Sequence, residues 1–131
     1  MLELRVVVGA RQLACMREAI ARECRRAGAD DEHVERVCAL ASDLIAAHTP
    51  VEPERRFARR DGPVLVVVTA QSDATMLLVR DPRVARDDLG EHRHSALHEV
   101  TSRWSTMSGA DGRTIWAEIP RVAVAPVACA R

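Results

Sequence analysis

Three amino acids are missing from this chain, which contains no lysine, no asparagine and no tyrosine. Without lysine, neither the lysine of a phosphate-binding P-loop nor a Schiff-base lysine can be present. Without asparagine, no amide of that residue can hold a metal ion or a phosphate group. All 19 basic residues are therefore arginines, and they are balanced by 19 acidic residues. Balanced charge gives no reason to expect a nucleic acid or an anionic membrane as partner.

Aromatic side chains are scarce, with two Trp and one Phe in 131 residues. The apolar fraction is nevertheless 47%, so the hydrophobic core must be built from aliphatic side chains. A charged fraction of 29% completes the composition of an ordinary globular protein. The length suits one domain with one core.

Long apolar runs and cysteine motifs are also absent from the sequence. No run approaches the length of a membrane span, and residues 1–5 contain an acid and a base, unlike a signal peptide. We therefore expect a cytoplasmic protein. Cys15, Cys24, Cys38 and Cys129 show no Cys-x-x-Cys spacing, so we expect reduced thiols that are buried as small apolar side chains.

Two amphipathic helices are predicted after a short first strand over residues 2–8. From residue 10 apolar side chains recur at three- and four-residue steps, and Gly28 is suited to end that helix. Asp30 and Asp31 are suitable caps for a second helix, which Pro50 stops.

The second half of the sequence predicts strands 64–68 and 76–79 around a turn, and a short third helix from apolar positions between 96 and 104. A hairpin follows, with strands 105–107 and 114–119 on either side of residues 108–112. The order β-α-α-β-β-α-β-β predicts an α+β two-layer sandwich, in which about three helices cover one face of a mostly antiparallel mixed sheet.

The predicted domain spans residues 1–121, with a loop insertion at about 49–63. Residues 122–131 form an apolar tail that can add an edge strand, and the first strand is expected at a sheet edge as well. Exposed strand edges would allow a homodimer.

The closing segment, Arg103-Trp104 followed by Asp-Gly-Arg-Thr-Ile-Trp-Ala-Glu-Ile-Pro at 111–120, resembles that of histidine-kinase-like (GHKL, Bergerat-fold) ATPase domains. The similarity is greatest to the stand-alone anti-sigma-factor serine kinases of actinobacteria. It covers roughly residues 1–121 and implies that Thr114 lies near the adenine.

The resemblance also implies a position for each nucleotide-binding box. On the second helix the family has a catalytic Glu and, four residues later, an Asn that binds Mg²⁺; here Asp43 and Ala47 take those positions. The carboxylate is shorter and the metal ligand is absent. Asp81 matches the Asp that accepts a hydrogen bond from adenine, although an Asp before Pro82 also suits a purely structural turn.

The phosphate-binding box is changed more strongly. The family has Gly-x-Gly at the start of the third helix, and counting back from Arg103 places these glycines at Glu91 and Arg93. A carboxylate and a long side chain then replace residues that let phosphate approach the backbone. Gly90, one position away, can supply one of the glycines but not both. These changes predict a pseudo-ATPase without a cofactor.

Two further clusters have alternative interpretations. His92, His94 and His98 can offer a pair of metal ligands one helical turn apart, or can be solvated side chains at a helix start. The second cluster, in the 49–63 insertion, can hold an acidic partner around an apolar anchor or can be a solvated loop. It consists of Arg55, Arg56, Phe57, Arg59 and Arg60.

The leading hypothesis is thus a non-catalytic regulatory protein, a pseudo-ATPase that acts in transcriptional or developmental regulation by binding another protein. The resemblance implies a sigma factor, an anti-anti-sigma (STAS) protein or a second copy as partner. The alternative is an active protein-serine kinase that uses ATP, Mg²⁺, Asp43 and Asp81. A weaker alternative is a module that responds to metal or nucleic acid through the His cluster or the Arg loop.

Overall fold

The computed structural model describes residues 1–46, 62–84 and 90–121. Within these ranges the elements are β1 (Leu2–Val6), α1 (Ala10–Arg26), α2 (Asp31–Ala46), β2 (Val64–Ala70), β3 (Ala74–Asp81), α3 (Gly90–Val100), β4 (Arg103–Gly109) and β5 (Gly112–Pro120). The predicted element order is therefore confirmed. Residues 49–61 of the predicted insertion and the tail 122–131 lie outside the described residues. None of the described helices is both long and apolar enough to cross a membrane.

The five strands form one open sheet in the order β1-β2-β3-β5-β4. All four neighbouring pairs are antiparallel, with Leu4 opposite Val66 and Leu78 opposite Trp116. The predicted α+β two-layer sandwich is confirmed, and no parallel pair occurs among the described strands. As predicted, β1 lies at an edge of the sheet, and β4 lies at the other edge.

The core lies between the helices and one face of the sheet. In β2 the side chains of Val64, Val66 and Val68 are fully buried, while Leu65 and Val67 on the other face are only half-buried. This period of two is that of an antiparallel sheet with one covered face. The helices complete the core with aliphatic side chains, which include Ile20, Val37, Leu40, Leu44, Ile45 and Leu97.

The helix boundaries in the first half follow from predicted capping residues. Gly28 has a φ of 90°, and the N–H groups of Gly28 and Ala29 donate to the carbonyls of Arg25 and Cys24 at 2.9 and 3.0 Å. This pair of bonds is a Schellman motif, which satisfies carbonyl groups at the end of α1. The Asp30 carboxylate accepts the backbone N–H of His33 at 2.9 Å and so caps α2.

The predicted third helix was wrong at both ends. It begins at Gly90 and ends at Val100, whereas Arg103 and Trp104 start β4. The Thr101 hydroxyl donates to the carbonyl of Leu97 and ends the helix, and the Ser102 N–H donates to the Glu118 carbonyl as sheet pairing begins. Apolar residues at 100 and 104 fit a helix, but they equally fit a helix end followed by an inward-facing strand position.

The closing hairpin is tighter than predicted. Gly109 pairs with Gly112 across a two-residue turn, in place of the five-residue connection 108–112. Gly112 has a φ of 103°, and a Cβ there would collide with the backbone of Asp81 and Pro82. Glycine is therefore required at this point, where β5 passes against the end of β3.

The cysteine prediction was correct for two residues. Cys24 and Cys38 are buried in the core, and burial raises the pKa of both thiols. Cys15 is exposed on α1, which corrects the expectation of burial. Leu13 packs against the core, and Cys15, two residues later, therefore lies towards the solvent side of the amphipathic helix. Cys129 lies outside the described residues.

Replacing Gly112 with alanine should destabilise the fold by roughly 2–3 kcal/mol, because it adds both a steric collision and a strained backbone conformation. Urea unfolding monitored by Trp fluorescence would measure the change. Gly109→Ala is the matched control, since no atom lies within 4 Å of its added Cβ. Equal effects of the two substitutions would contradict the close approach of β5 to β3.

Candidate functional site

The structure brings three of the predicted box residues to one place. Asp43 lies in the last turn of α2, Asp81 ends β3, and Arg93 lies in the first turns of α3. Arg83, two residues after Asp81, joins them. We call Asp43, Asp81, Arg83 and Arg93 the Asp81 cluster. It lies where the end of β3 meets the two helices.

Asp81 is the buried centre of this cluster, with a side chain only 4% exposed. Its Oδ1 accepts the backbone N–H and the Nε–H of Arg83, both at 2.9 Å, and its Oδ2 accepts from Nη2 at 2.8 Å. Burial alone would raise the pKa of the carboxyl, but these bonds and the charge of Arg83, assisted by Arg113, hold the pKa below its ordinary value. Asp81 is therefore ionised and paired within its own chain.

Arg93 connects α3 to α2. Its Nε–H donates to the backbone carbonyl of Asp43 at 3.1 Å. Burial lowers the pKa of the guanidinium, and the carboxylates of Asp43 and Asp81 act in the opposite direction. The Asp43 carboxylate is itself 42% exposed, and its Oδ2 is 3.9 Å from Nε2 of His92. An arginine whose charge is influenced by the carboxylates of Asp43 and Asp81 therefore stands where the resemblance implied a glycine.

The other predicted nucleotide-side residues are less enclosed. Thr114, on β5, is opposite Arg80 in the register and accepts the Nε–H of Arg80 at 3.2 Å. Glu91 is exposed in the first turn of α3, where a carboxylate is favourable beside the positive end of the helix dipole. Gly90, with a φ of 77°, begins the helix. Glu91 thus has a structural role available that needs no ligand.

The histidines of α3 separate into two groups. His92 is directed towards Asp43, whereas His94 and His98 stack with their ring centroids 6.2 Å apart. His94 also meets Trp104 edge-on at 5.2 Å. In the ranges 1–46, 62–84 and 90–121, no group of three or more His, Cys, Asp or Glu side chains is arranged to hold a metal ion. The ring contacts of His94 and His98 are therefore with each other and, for His94, with Trp104.

Six of the predicted site residues lie outside the part of the chain that the structure describes. Ala47, at the predicted metal-ligand position, lies outside the described residues. The same holds for the predicted partner-binding residues Arg55, Arg56, Phe57, Arg59 and Arg60.

Three arginines that contact or face the site residues were not predicted from the sequence. Arg83 pairs with Asp81, and Arg80 bonds Thr114. Arg113 is only 4% exposed and faces Asp81 across the β3–β5 pair. The Asp-Pro-Arg sequence at 81–83 was the available signal for Arg83, because an Asp often accepts a hydrogen bond from the backbone N–H two residues later. The burial of Arg113 depends on strand pairing and leaves no local signal.

No protein-family model matches the chain, and no curated protein sequence matches it.

Replacing Arg83 with methionine should lower the free energy of unfolding at pH 7 by roughly 2–3 kcal/mol, because a buried charge loses its hydrogen-bond donors. Ionised Asp81 contributes stability above its ordinary pKa of 3.8, and that stability is lost as the pH falls towards the lower native value. In the variant, burial raises the pKa of Asp81, so the difference from wild type should shrink as Asp81 becomes protonated. Urea unfolding between pH 3 and pH 7 would measure it.

The matched control for this experiment is Arg80→Met, which removes an exposed guanidinium with one bond to Thr114. It should change stability by less than about 1 kcal/mol at every pH. A pH-independent loss in Arg83→Met would show that the arginine acts through packing and not through the Asp81 charge.

Proposed function

We propose that this chain is a non-catalytic regulatory protein, a pseudo-ATPase that works by binding another protein. The single observation that carries the proposal is the pairing of Asp81 with Arg83. In a working pocket of the resembled family this carboxylate would accept a hydrogen bond from adenine. Here three donors of the same chain already bond it, and its side chain is almost completely buried.

Arg93 supports the same proposal from the phosphate side. Glycine at its position would leave space for phosphate next to the backbone. The Arg93 side chain instead bonds the Asp43 carbonyl, and its charge is offset by the carboxylates of Asp43 and Asp81. Its guanidinium is therefore already committed to partners within the chain. Glu91 adds a carboxylate to the same end of α3.

The size of the deficit argues against physiological ATP binding. Each lost charge-assisted contact to phosphate or metal removes roughly 1.5–3 kcal/mol. Three such losses, at positions 47, 91 and 93, amount to about 5–8 kcal/mol. That difference lowers affinity by about 10⁴- to 10⁶-fold.

An active protein-serine kinase is the second candidate, and one observation favours it. The Asp43 carboxylate is 42% exposed, and Arg93 bonds the backbone carbonyl of this residue. A carboxylate in this position has the exposure that a general base requires. This candidate still needs ATP and Mg²⁺, whereas the Asp81 carboxylate and the Arg93 guanidinium are already bonded within the chain.

The proposed partner is a protein and the proposed location is the cytoplasm. By the resemblance, the partner is a sigma factor or a STAS-type antagonist, and a second copy of the chain is a further candidate. The arginine-rich residues 55–60 remain the predicted contact for an acidic partner.

Isothermal titration with ATP and Mg²⁺ should give no saturable heat at micromolar nucleotide, because the adenine acceptor and the phosphate side are occupied by Arg83 and Arg93. Micromolar binding would contradict the pseudo-ATPase proposal. In that event Asp81→Asn should abolish the heat, whereas Asp73→Asn in the β2–β3 turn should retain it.

A labelling experiment separates the kinase candidate from the proposal. Incubation with radiolabelled ATP and STAS-type proteins should leave every serine unlabelled. If a serine were labelled, loss of the label in Asp43→Ala would establish a kinase that uses this carboxylate.

A further inference from the structure

A groove lies between strand β1 and the first half of helix α1, at the edge of the sheet. It has a cavity of about 230 Å³. Apolar and thiol side chains form most of its wall. We call it the β1–α1 groove, and its lining residues are Leu4, Arg5, Val6, Arg11, Gln12, Cys15 and Met16.

One long side of the groove is a sheet edge. In the part of the chain that the structure describes, β1 pairs only with β2. Backbone N–H and C=O groups along its other side can therefore accept an added strand. Val7, which continues the strand direction, is 64% exposed.

The rim of the groove is positively charged. Arg11 is exposed and forms no ion pair with any described residue. Arg5 alternates with the inward-facing Leu4 and Val6, so its side chain lies on the opposite face of β1. There it has a 3.6 Å ion pair with Glu3, which is weak because both side chains are more than half exposed. The first turn of α1 contains no acidic residue, and Gly9 supplies no side-chain cap. The positive end of the α1 dipole adds to the same rim.

The cavity volume restricts what can enter. About 230 Å³ is below the ~300–1,000 Å³ of typical small-molecule sites. It accommodates one aliphatic side chain, while the exposed strand beside it accommodates a backbone. An extended peptide provides both, because its alternate side chains point to opposite sides of the added strand.

We propose that the β1–α1 groove binds an extended acidic segment of a partner protein by adding it to the sheet beside β1. One aliphatic side chain of that segment enters the cavity between Leu4 and Met16. Carboxylates two positions away share that face of the added strand and lie against Arg11, whereas carboxylates next to it point to the opposite face, on which Arg5 lies. This inference names the chemistry of the protein partner in the proposed function, on which it rests, and uses no residue of the Asp81 cluster.

The probe is the peptide Glu-Glu-Leu-Glu-Glu, called the Glu-Leu peptide, with fluorescein on its N-terminus and an amidated C-terminus. Fluorescence anisotropy should show saturable binding. Hydrogen exchange of the outward-facing β1 amides, which do not pair with β2, should become slower when the peptide binds. The same peptide with Lys in place of each Glu, called the Lys-Leu peptide, should bind at least about tenfold more weakly, because its charges repel the rim.

Two variants test the groove itself. Arg11→Glu should weaken binding of the Glu-Leu peptide by about tenfold or more. Its matched control is Arg22→Glu, an exposed arginine farther along the same helix, which should change binding less than about twofold. Cys15→Phe should fill the cavity from its exposed rim and weaken binding as well, while circular dichroism and thermal unfolding confirm that the variant is folded.

The proposal is overturned by no saturable binding up to millimolar peptide, by equal affinity for the Lys-Leu peptide, or by an unchanged affinity in Arg11→Glu. Slow exchange of the outward-facing β1 amides, which do not pair with β2, in the protein without peptide would also overturn it. That result would mean that a second copy or residues 122–131 already occupy the edge. Nucleotide titration is a separate measurement. Peptide binding can therefore fail while the pseudo-ATPase proposal stands, and the pseudo-ATPase proposal can fail while peptide binding is observed.

Discussion

Burial of one face of an open antiparallel sheet is the constraint on which the rest of this structure depends. With two Trp and one Phe in the chain, the core relies on many aliphatic side chains that must all face the helices. The alternation of buried Val66 with half-buried Val67 records that requirement. An open sheet also has two edges, and one of them leaves β1 exposed beside α1.

The same constraint produces the Asp81 cluster. Asp81 continues the buried register of β3, so its carboxylate enters the protein at the point where Gly112 allows β5 to approach. A buried carboxylate requires donors, and the chain supplies them from Arg83 in the next turn. The motif comparison predicts an adenine acceptor at Asp81, and the structure shows an ion pair of this carboxylate with Arg83. The residue type alone suits either role.

The sequence was sufficient to predict most of the fold. Strand periodicity, the capping residue Asp30 and the terminating Gly28 are local signals, and the structure uses each of them as expected. The error at Trp104 arose because an apolar residue four positions after Val100 suits a helix, whereas long-range pairing with β5 makes it a strand. The tight turn before Gly112 was missed for a related reason, since its geometry follows from packing against Asp81.

The sequence by itself determined the element order, the aliphatic core and the absence of a lysine or asparagine that could hold phosphate or metal, because these follow from composition and short-range periodicity. Only the tertiary structure decided which charges meet. Arg93 reaches the Asp43 carbonyl across 50 positions, and Arg113 approaches Asp81 through strand pairing. The β1–α1 groove likewise exists because β1 lies at the edge of the sheet. Such contacts join segments that are distant in the chain, so no local pattern records them.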